Sequence, residues 1–401
     1  MNVYLDNNTT TMVDSRIYQA IKPFFIEKYA DPNTSHTFAY QTHPAIEEAM
    51  KKIYEGIGAD TEDLLIITSS ATESNNWVLK SIFFEYILTG KKNHIIVSKV
   101  EHPSVLFAAK WIESMGCKVS YLPIENDGIV NLQTLKETIT DKTALVSIMW
   151  ANHHTGAIFP IKEIGDICKE RNVLFHTDAT QAIGKLPVNI QNFHIDYLTF
   201  SAHTFHGPKG IGALYIKKGR ELLPLFHGEK QMNGYRSGTL NTAGIIGMSI
   251  ALETSLSALK FEMKEVRKLR DMLEDELLKI EDTYILTPKE KRVPNTVFIS
   301  FKSISNTSLL WDLSKAGIAA SIATIPLLNN TDENPDIFTL DSKENPEINL
   351  VKKNIITTKE LTHTAISFSL SRYTSKKEIN YTLDIVKKAV NRLRKISSSY
   401  H

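Results

Sequence analysis

Between residues 15 and 255, short apolar runs alternate with segments whose apolar side chains recur every three or four positions. The apolar runs are DLLIIT, HIIVS, KVSYLPI, ALVSIMW, VLFHTDA, IDYLTFSA and GIGALYIKK. A strand that is apolar along its whole length is buried on both faces, and helices between such strands favour parallel pairing. The sequence therefore predicts an α/β fold with a mainly parallel, seven-stranded sheet sandwiched by helices.

The C-terminal third of the chain has a different pattern. NTVFISF and HTAISFSLS alternate in polarity, which is typical of antiparallel strands with one covered face. An amphipathic helix follows them, and Ser375 and Glu378 have the spacing of a capping box at its start. We predict a large α/β domain over residues 15–255 and a smaller α+β domain over residues 1–14 and 256–401.

Charge and cysteine content argue against several kinds of protein. The chain has 46 Lys and Arg against 45 Asp and Glu, so its bulk charge gives no support for binding to nucleic acid or to a membrane surface. Two scattered cysteines, Cys117 and Cys168, do not make a disulfide scaffold, and we expect both to be buried packing thiols. No apolar run has the length of a membrane span, and the first residues do not resemble a signal peptide, so we expect a cytoplasmic protein.

Polar side chains follow five of the predicted strands, in TSSATES, SKVEHPS, MWANHHTG, HTDATQA and SAHTFHGPKG. Because ligands bind at the carboxyl ends of the strands in open α/β sheets, these segments predict one shared polar pocket. Ser70 and Glu73 have capping-box spacing, so the helix that follows either binds a phosphate at its N-terminus or is simply capped. Asp178 either stabilises a cationic ring or caps the next helix. His102 lies at another of these strand ends.

In chain order, eight segments resemble NifS/IscS-type cysteine desulfurases, which belong to the class V aminotransferases: VYLDNNTTTMVD, TSSATESNN, EHPSVL, VSIMWANHHTGAIFPI, HTDATQAIGKLPV, SAHTFHGPKGIGALYI, RSGTLN and FSLSRYTSKKEI. They extend from residue 3 to about residue 380. The resemblance implies fold type I of the transferases that depend on pyridoxal 5'-phosphate (PLP). It also implies PLP as the cofactor and a homodimer.

The resemblance further implies that five residues bind the phosphate of PLP. Ala71 and Thr72 would meet the phosphate at a helix N-terminus, which suits a dianion. Ser201 and His203 would lie beside it. Thr239 would reach the phosphate of the cofactor held by the other subunit.

Four more residues surround the cofactor ring in the arrangement that the resemblance implies. His102 would stack on the ring, and Asp178 would pair with the pyridinium nitrogen, which keeps the ring an electron sink. Gln181 would approach the phenolic oxygen of the ring. His153 stands in place of an asparagine near the same oxygen.

The residues that carry out desulfuration in this family are replaced. Thr204 stands in place of the lysine that forms a Schiff base with PLP, and a threonine hydroxyl cannot form an imine. Pro326 lies near the place of the nucleophilic cysteine, and no cysteine follows Cys168. Ser367 replaces the arginine that would bind the substrate carboxylate. The polar stretch 327–362 is longer than the usual loop of the family, which predicts a remodelled substrate loop.

These losses predict a desulfurase-like protein that no longer desulfurates L-cysteine. Its first predicted function is that of a non-catalytic partner or scaffold in sulfur transfer or iron–sulfur metabolism, as a homodimer or beside an active desulfurase or a sulfur acceptor. The alternative is a PLP-binding enzyme of the desulfurase or aminotransferase class, with a non-covalent cofactor and other chemistry. The sequence therefore leaves open whether the chain is an enzyme.

A zinc site formed by His102, His153 and His203 is a third idea, because all three would face one cavity and imidazole suits zinc. Histidines in such pockets more often stack on rings or donate to phosphate. We therefore assign no metal.

Overall fold

The computed structural model describes residues 1–125, 127–322 and 363–398. Pro326 and the polar stretch 327–362 lie outside the described residues, so what the sequence predicts for them stays a prediction. Up to residue 216, the elements follow one another as β1 (Val3–Tyr4), α1 (Ser15–Ile21), α2 (Pro23–Ile26), α3 (Thr37–Tyr40), α4 (His43–Ile57), β2 (Leu64–Thr68), α5 (Ala71–Ile82), β3 (His94–Ser98), α6 (Pro103–Ser114), β4 (Lys118–Leu122), α7 (Leu132–Thr138), β5 (Thr143–Ser147), α8 (Ile161–Glu170), β6 (Leu174–Asp178), β7 (Tyr197–Ser201) and β8 (Gly212–Ile216).

Strands β2 to β8 form the predicted seven-stranded sheet, in the order β2–β8–β7–β6–β5–β3–β4. Neighbouring strands are parallel except at β8, which is antiparallel to both β2 and β7. Adjacent residues of β5, Leu145 and Val146, belong to separate apolar clusters because successive side chains point to opposite faces. The sheet is therefore covered on both sides, as its continuous apolar runs predict.

α9 (Thr242–Phe261) belongs to the large unit, since its buried apolar side chains are part of the cluster on one face of the large sheet. The remaining described elements form a second, smaller unit. They are α10 (Arg267–Leu277), β9 (Thr283–Ile285), β10 (Thr296–Phe301), α11 (Asn306–Lys315), β11 (Ile318–Ala319), β12 (Ser321–Ile322), β13 (Ala365–Ser369) and α12 (Lys376–Ser398). The strands β12, β13, β10 and β9 form an antiparallel sheet in that order, and β1 pairs with β11 in parallel. The predicted capping box precedes α12, since Ser375 Oγ accepts from the Glu378 N–H and the Glu378 carboxylate accepts from the Ser375 N–H.

The continuous helix Thr242–Leu277, which includes α9 and α10, is long and apolar enough to cross a membrane by length and composition. Core helices meet the same criteria, and 56% of its most apolar stretch is buried inside the protein. α9 packs against α4 and α1. The contact with α4 is close, because a Cβ atom at Gly56 would lie 2.6 Å from Leu252 Cδ2. These contacts account for the apolar composition of α9.

The N-terminal segment that follows β1 runs between the two sheets. Asp6 bridges to Ser369 of β13, and the N–H of Asn8 donates to Ser369 Oγ at 2.9 Å. A few residues further on, the N–H of Thr11 donates to the carbonyl oxygen of His203 at 2.8 Å, just after β7. The segment therefore links the small sheet to the carboxyl end of the large one.

Arg292 and Glu274 form an ion pair in which neither side chain is more than 1% exposed. We expect Arg292→Met to lower the free energy of unfolding by up to about 3–5 kcal/mol, because it leaves the buried Glu274 carboxylate with Lys289, 3.7 Å away, as its remaining ion-pair partner. Urea unfolding followed by circular dichroism measures the change. The matched control is the double variant Arg292→Met, Glu274→Met, which removes both charges and should recover most of the loss. A double variant as unstable as the single one would contradict this expectation.

Candidate functional site

A cavity of about 200 Å³ lies at the carboxyl ends of β2, β6 and β7. Eight of the nine predicted cofactor contacts line it: Ala71, Thr72, His102, His153, Asp178, Gln181, Ser201 and His203. Thr204 and Ser367, two positions predicted to have lost a catalytic residue, line it as well. The ninth contact, Thr239, is exposed elsewhere, and its hydroxyl donates to Asp31 Oδ2 at 3.2 Å.

The first turn of α5 lines the cavity. Ser70 is the N-cap, and its hydroxyl accepts from the N–H of Glu73 at 3.4 Å. The N–H of Ala71 donates to Ser201 Oγ at 2.7 Å, so the end of β7 is tied to the start of α5. Gly212 of β8 permits this contact, because a Cβ atom there would lie 2.8 Å from the carbonyl carbon of Ser70. A helix N-terminus carries partial positive charge, so this turn suits an anion such as phosphate.

Asp178 is buried at the end of β6. Its two oxygens accept hydrogen bonds from Asn75 Nδ2 at 2.7 Å and from the N–H of Thr180 at 3.0 Å. Asn75 is held in turn by Thr199 Oγ1, which donates to it at 2.6 Å. Asp178 thus caps the turn that follows its strand, whereas the sequence offers the cap of a helix as one of its two roles; residues 180–185 form a turn and not a helix. The same buried carboxylate, at the cavity surface, also suits a cationic nitrogen on a ligand.

Four histidines, His102, His153, His154 and His203, line the cavity. His102 caps α6, where its Nδ1 accepts from the N–H of Ser104 at 3.2 Å, and its ring meets that of His153 edge-on with centroids 5.4 Å apart. Burial lowers the pKa of His153 well below its usual value, lowers the pKa of His154 to about 4, and lowers the pKa of His203. These three imidazoles are therefore neutral at neutral pH.

Three buried polar atoms of the cavity lining have no hydrogen-bond partner: His153 Nδ1, Thr180 Oγ1 and His203 Nδ1. Buried polar groups are nearly always paired, so these atoms indicate a site for a polar ligand. The described residues contain no group of three or more His, Cys, Asp or Glu side chains placed to hold a metal ion. The structure therefore gives no support to a zinc site formed by the three histidines.

Several lining residues had no role predicted from the sequence, among them Asp6, Asn8, Thr9, Thr180 and Ser321. The first three belong to the polar run LDNNTTT near the N-terminus. This run lies in one of the segments that resemble the family. That resemblance is the only signal in the sequence that these residues belong to a site. Neither the spacing nor the composition of the run identifies which of its side chains reach a ligand.

Asn8 is the most highly bonded of these residues. Its Nδ2 donates to Thr296 Oγ1 at 2.8 Å and to the carbonyl oxygen of His153 at 3.0 Å. Its Oδ1 accepts from Lys185 Nζ at 3.0 Å and from Asn295 Nδ2 at 3.1 Å. Asn8 therefore joins groups from both parts of the protein at the edge of the cavity.

A model of the aminotransferase class-V family matches residues 3–325. The cysteine desulfurase IscS of Dictyoglomus turgidum is 40% identical over 396 residues, which cover 98% of this chain and 96% of that protein. The chain belongs to the NifS/IscS branch of this family. A cysteine desulfurase of Trichormus azollae is 39% identical over 396 residues, covering 98% of this chain and 94% of that protein. A solved NifS-like protein has a TM-score of 0.86 and 35% identity, covering 98% of this chain and 100% of that one.

These matches confirm the predicted family and the predicted fold class, and the family is PLP-dependent. Thr204, which is predicted from the sequence to stand in place of the family's lysine, is buried in the 3-10 turn after β7. Its hydroxyl lies 2.9 Å from the carbonyl oxygen of Thr180 and 3.1 Å from that of Ser201, so its proton is used in a backbone hydrogen bond. Ser367, which is predicted to stand in place of the family's arginine, donates to the carbonyl oxygen of His154 at 2.8 Å.

Lys185 lies behind the cavity wall and is buried. Its Nζ donates to Gln181 Oε1 at 2.5 Å and to Asn8 Oδ1 at 3.0 Å, and both acceptors belong to residues of the cavity lining. Burial lowers the pKa of Lys185 to about 7, and the nearby Glu262 opposes this shift. The amine therefore loses its proton near neutral pH in the folded protein.

We expect the stability of the protein to depend on pH through Lys185. In the unfolded chain the amine keeps its proton up to about pH 10, whereas the folded protein releases it near pH 7. The free energy of unfolding should therefore rise between about pH 7 and pH 10, by up to about 1.4 kcal/mol per pH unit, and this gain should be lost below pH 7. Lys185→Met should lack this rise, as measured by urea unfolding across that range.

The matched control is Lys51→Met, which removes an exposed lysine of α4 and should keep the wild-type pH dependence. Identical pH profiles for the wild type and Lys185→Met would show that the buried amine does not titrate near neutrality.

Proposed function

We propose that this chain is a cysteine desulfurase-like protein that binds PLP without a covalent bond and no longer removes sulfur from L-cysteine. The observation that carries the proposal is the position of Thr204, which lines the same cavity as the retained cofactor contacts. A protein that holds the cofactor without this turnover acts as a non-catalytic partner or scaffold. Its relatives are cysteine desulfurases, which favours a role in sulfur transfer or iron–sulfur metabolism.

The groups that line the cavity fit PLP. The first turn of α5, with Ser201 and His203, suits the phosphate, and Asp178 suits the pyridinium nitrogen. The unpartnered atoms His153 Nδ1 and Thr180 Oγ1 need hydrogen-bond partners, which the polar substituents of PLP supply. When bound, PLP supplies an electron sink that stabilises negative charge beside an attached amine.

Two features of this chain support the loss of desulfuration. Thr204 has no amine, so it neither bonds covalently to the cofactor nor moves a proton as a lysine does. Sulfur transfer needs a thiolate, and Cys117 and Cys168 are the only cysteines in the sequence. Both are buried, and burial raises the pKa of Cys117 to about 11 and also raises the pKa of Cys168. Neither thiol belongs to the cavity lining.

Catalysis of a different PLP reaction is a second candidate function. The observation that favours it is Asp178, which keeps its place at the cavity surface. A carboxylate beside the ring nitrogen serves to keep the ring an electron sink, which matters to a reacting cofactor more than to one that is only held.

A homodimer is part of the proposal. Residues 12–40 expose an unusual number of large apolar side chains, each at least 52% exposed: Met12, Tyr18, Phe25, Ile26, Tyr29, Phe38 and Tyr40. A surface of this kind indicates a protein contact, and a second copy of the chain accounts for it. An active desulfurase or a sulfur acceptor is the other occupant that the proposed role allows.

We expect PLP to bind the wild-type protein reversibly and to leave no covalent adduct in the cavity after borohydride reduction, because Thr204 offers no amine. Thr204→Lys should acquire a pyridoxyl group at residue 204. Mass spectrometry of the intact protein and of its peptides measures both results.

The matched control is Thr204→Met, which removes the hydroxyl without adding an amine and should behave as the wild type does. Supplied with L-cysteine and PLP, neither the wild type nor Thr204→Lys should release sulfide, since neither has a reactive thiol. A borohydride-fixed adduct on a lysine beside the cavity of the wild type, such as Lys185, or enzymatic sulfide release, would refute the proposal.

We expect the wild type to sediment as a dimer and the double variant Phe25→Glu, Ile26→Glu to sediment as a monomer, because two carboxylates would be buried in the contact. Sedimentation velocity measures the outcome. Phe107→Glu changes a 52% exposed aromatic residue on α6, outside this surface, and should leave the dimer intact. A monomeric wild type across the accessible concentrations would overturn the homodimer.

A further inference from the structure

Asp6, Thr9, Ser321 and Ser367 line one side of the cavity and are here called the Asp6 wall. Asp6 Oδ1 accepts hydrogen bonds from Thr9 Oγ1 at 2.8 Å and from Ser321 Oγ at 2.5 Å. Ser321 of β12 stands opposite Ser367 of β13 in the antiparallel register. The four residues are therefore neighbours, and the Asp6 carboxylate is the only charged group among them.

The described lining of the cavity contains no lysine and no arginine. Its charged groups are the carboxylates of Asp6 and Asp178, and burial keeps the imidazoles of His153 and His154 uncharged by lowering their pKa values. A ligand carboxylate that enters this space loses water and meets a like charge. An ammonium group in the same place donates a charge-assisted hydrogen bond to the Asp6 carboxylate.

The hydroxyls of the Asp6 wall do not offset this preference. Ser367 Oγ donates its proton to the carbonyl oxygen of His154 at 2.8 Å, and Ser321 Oγ donates to Asp6. A donor that is already used inside the protein can serve a ligand carboxylate only if that bond breaks. The wall therefore offers acceptors to a ligand rather than donors.

We propose that the Asp6 wall selects a ligand that carries an ammonium group and no carboxylate next to it. The ligand class is a phosphopyridine with an amine on its 4' carbon, of which pyridoxamine 5'-phosphate is the simplest member. The inference rests on the proposed function, because the phosphate and the ring would be held by the same cavity. It goes beyond that function by giving the far side of the cavity a charge preference that excludes free amino acids.

Pyridoxamine 5'-phosphate and pyridoxine 5'-phosphate are matched probes, since they differ only in an ammonium or a hydroxyl group on one carbon. We expect the wild type to bind the ammonium probe at least about tenfold more tightly, as measured by isothermal titration calorimetry. Asp6→Asn keeps an oxygen for Thr9 and Ser321 but removes the charge, so the ratio should fall to within about twofold. Asp141→Asn, at an exposed position before β5 that is absent from the cavity lining, should keep the wild-type ratio.

A second experiment tests whether the Asp6 wall rejects a ligand carboxylate. It uses two stable reduced adducts of PLP, one made with ethylamine and one made with L-alanine. The wild type should bind the ethylamine adduct about tenfold more tightly, because only the alanine adduct brings a carboxylate to the Asp6 wall. Ser367→Arg adds a cation to the wall and should reverse this order. Ser257→Arg, the matched control, adds the same cation at an exposed position outside the cavity lining and should keep it.

The outcomes separate this inference from the proposed function. If no phosphopyridine probe binds, the proposed function fails. If the wild type binds the ammonium and hydroxyl probes equally, or prefers the alanine adduct, the selection by the Asp6 wall fails while the proposed function stands. If Asp6→Asn weakens the binding of both probes equally, Asp6 supports the fold and does not select the ligand. That result would also overturn the inference.

Discussion

Every polar group of Asn8 is hydrogen-bonded, and these bonds hold the two parts of the cavity wall together. On the side of the large sheet, Oδ1 accepts from Lys185 and the backbone carbonyl oxygen accepts from Gln181 Nε2 at 2.8 Å. On the side of the small sheet, Nδ2 donates to Thr296 and the backbone N–H donates to Ser369. A carboxamide has both donors and acceptors, which is what a junction between groups of both kinds requires. The shape of the cavity depends on this one side chain because it fixes the N-terminal segment against both sheets.

The large sheet could be predicted from the sequence because burial on both faces demands continuous apolar strands. The same rule predicted the position of the cavity, because the side chains that follow such strands are the first polar groups beyond the packed apolar layer of the sheet. The direction of β8 was not predicted. Only a short connection joins Ser201 to Gly212, and a parallel return needs a longer crossover, so β8 runs back beside β7 as an antiparallel strand.

The N-terminal side of the cavity could not be predicted from local pattern. Asn8 and Thr296 are separated by 288 positions, and no periodicity within a segment encodes a contact of that range. The burial of Lys185 could not be predicted for a related reason. In the sequence it follows a glycine and is indistinguishable from a surface lysine, and only the fold shows that it is buried. The role of Thr239 stays a prediction because it requires a second subunit. The role of Pro326 stays one because that residue lies outside the described residues.

Gly212 belongs to the sheet and is absent from the cavity lining, yet it decides how closely the first turn of α5 can approach β8. A larger residue there would push against the backbone of Ser70 and move the start of α5 away from Ser201. The same methyl group would lie 2.7 Å from the carbonyl oxygen of Phe200 in the neighbouring strand, so the position is confined on two sides. The freedom of this position to vary in sequence is therefore limited by backbone on both sides of a space that a single methyl group would fill.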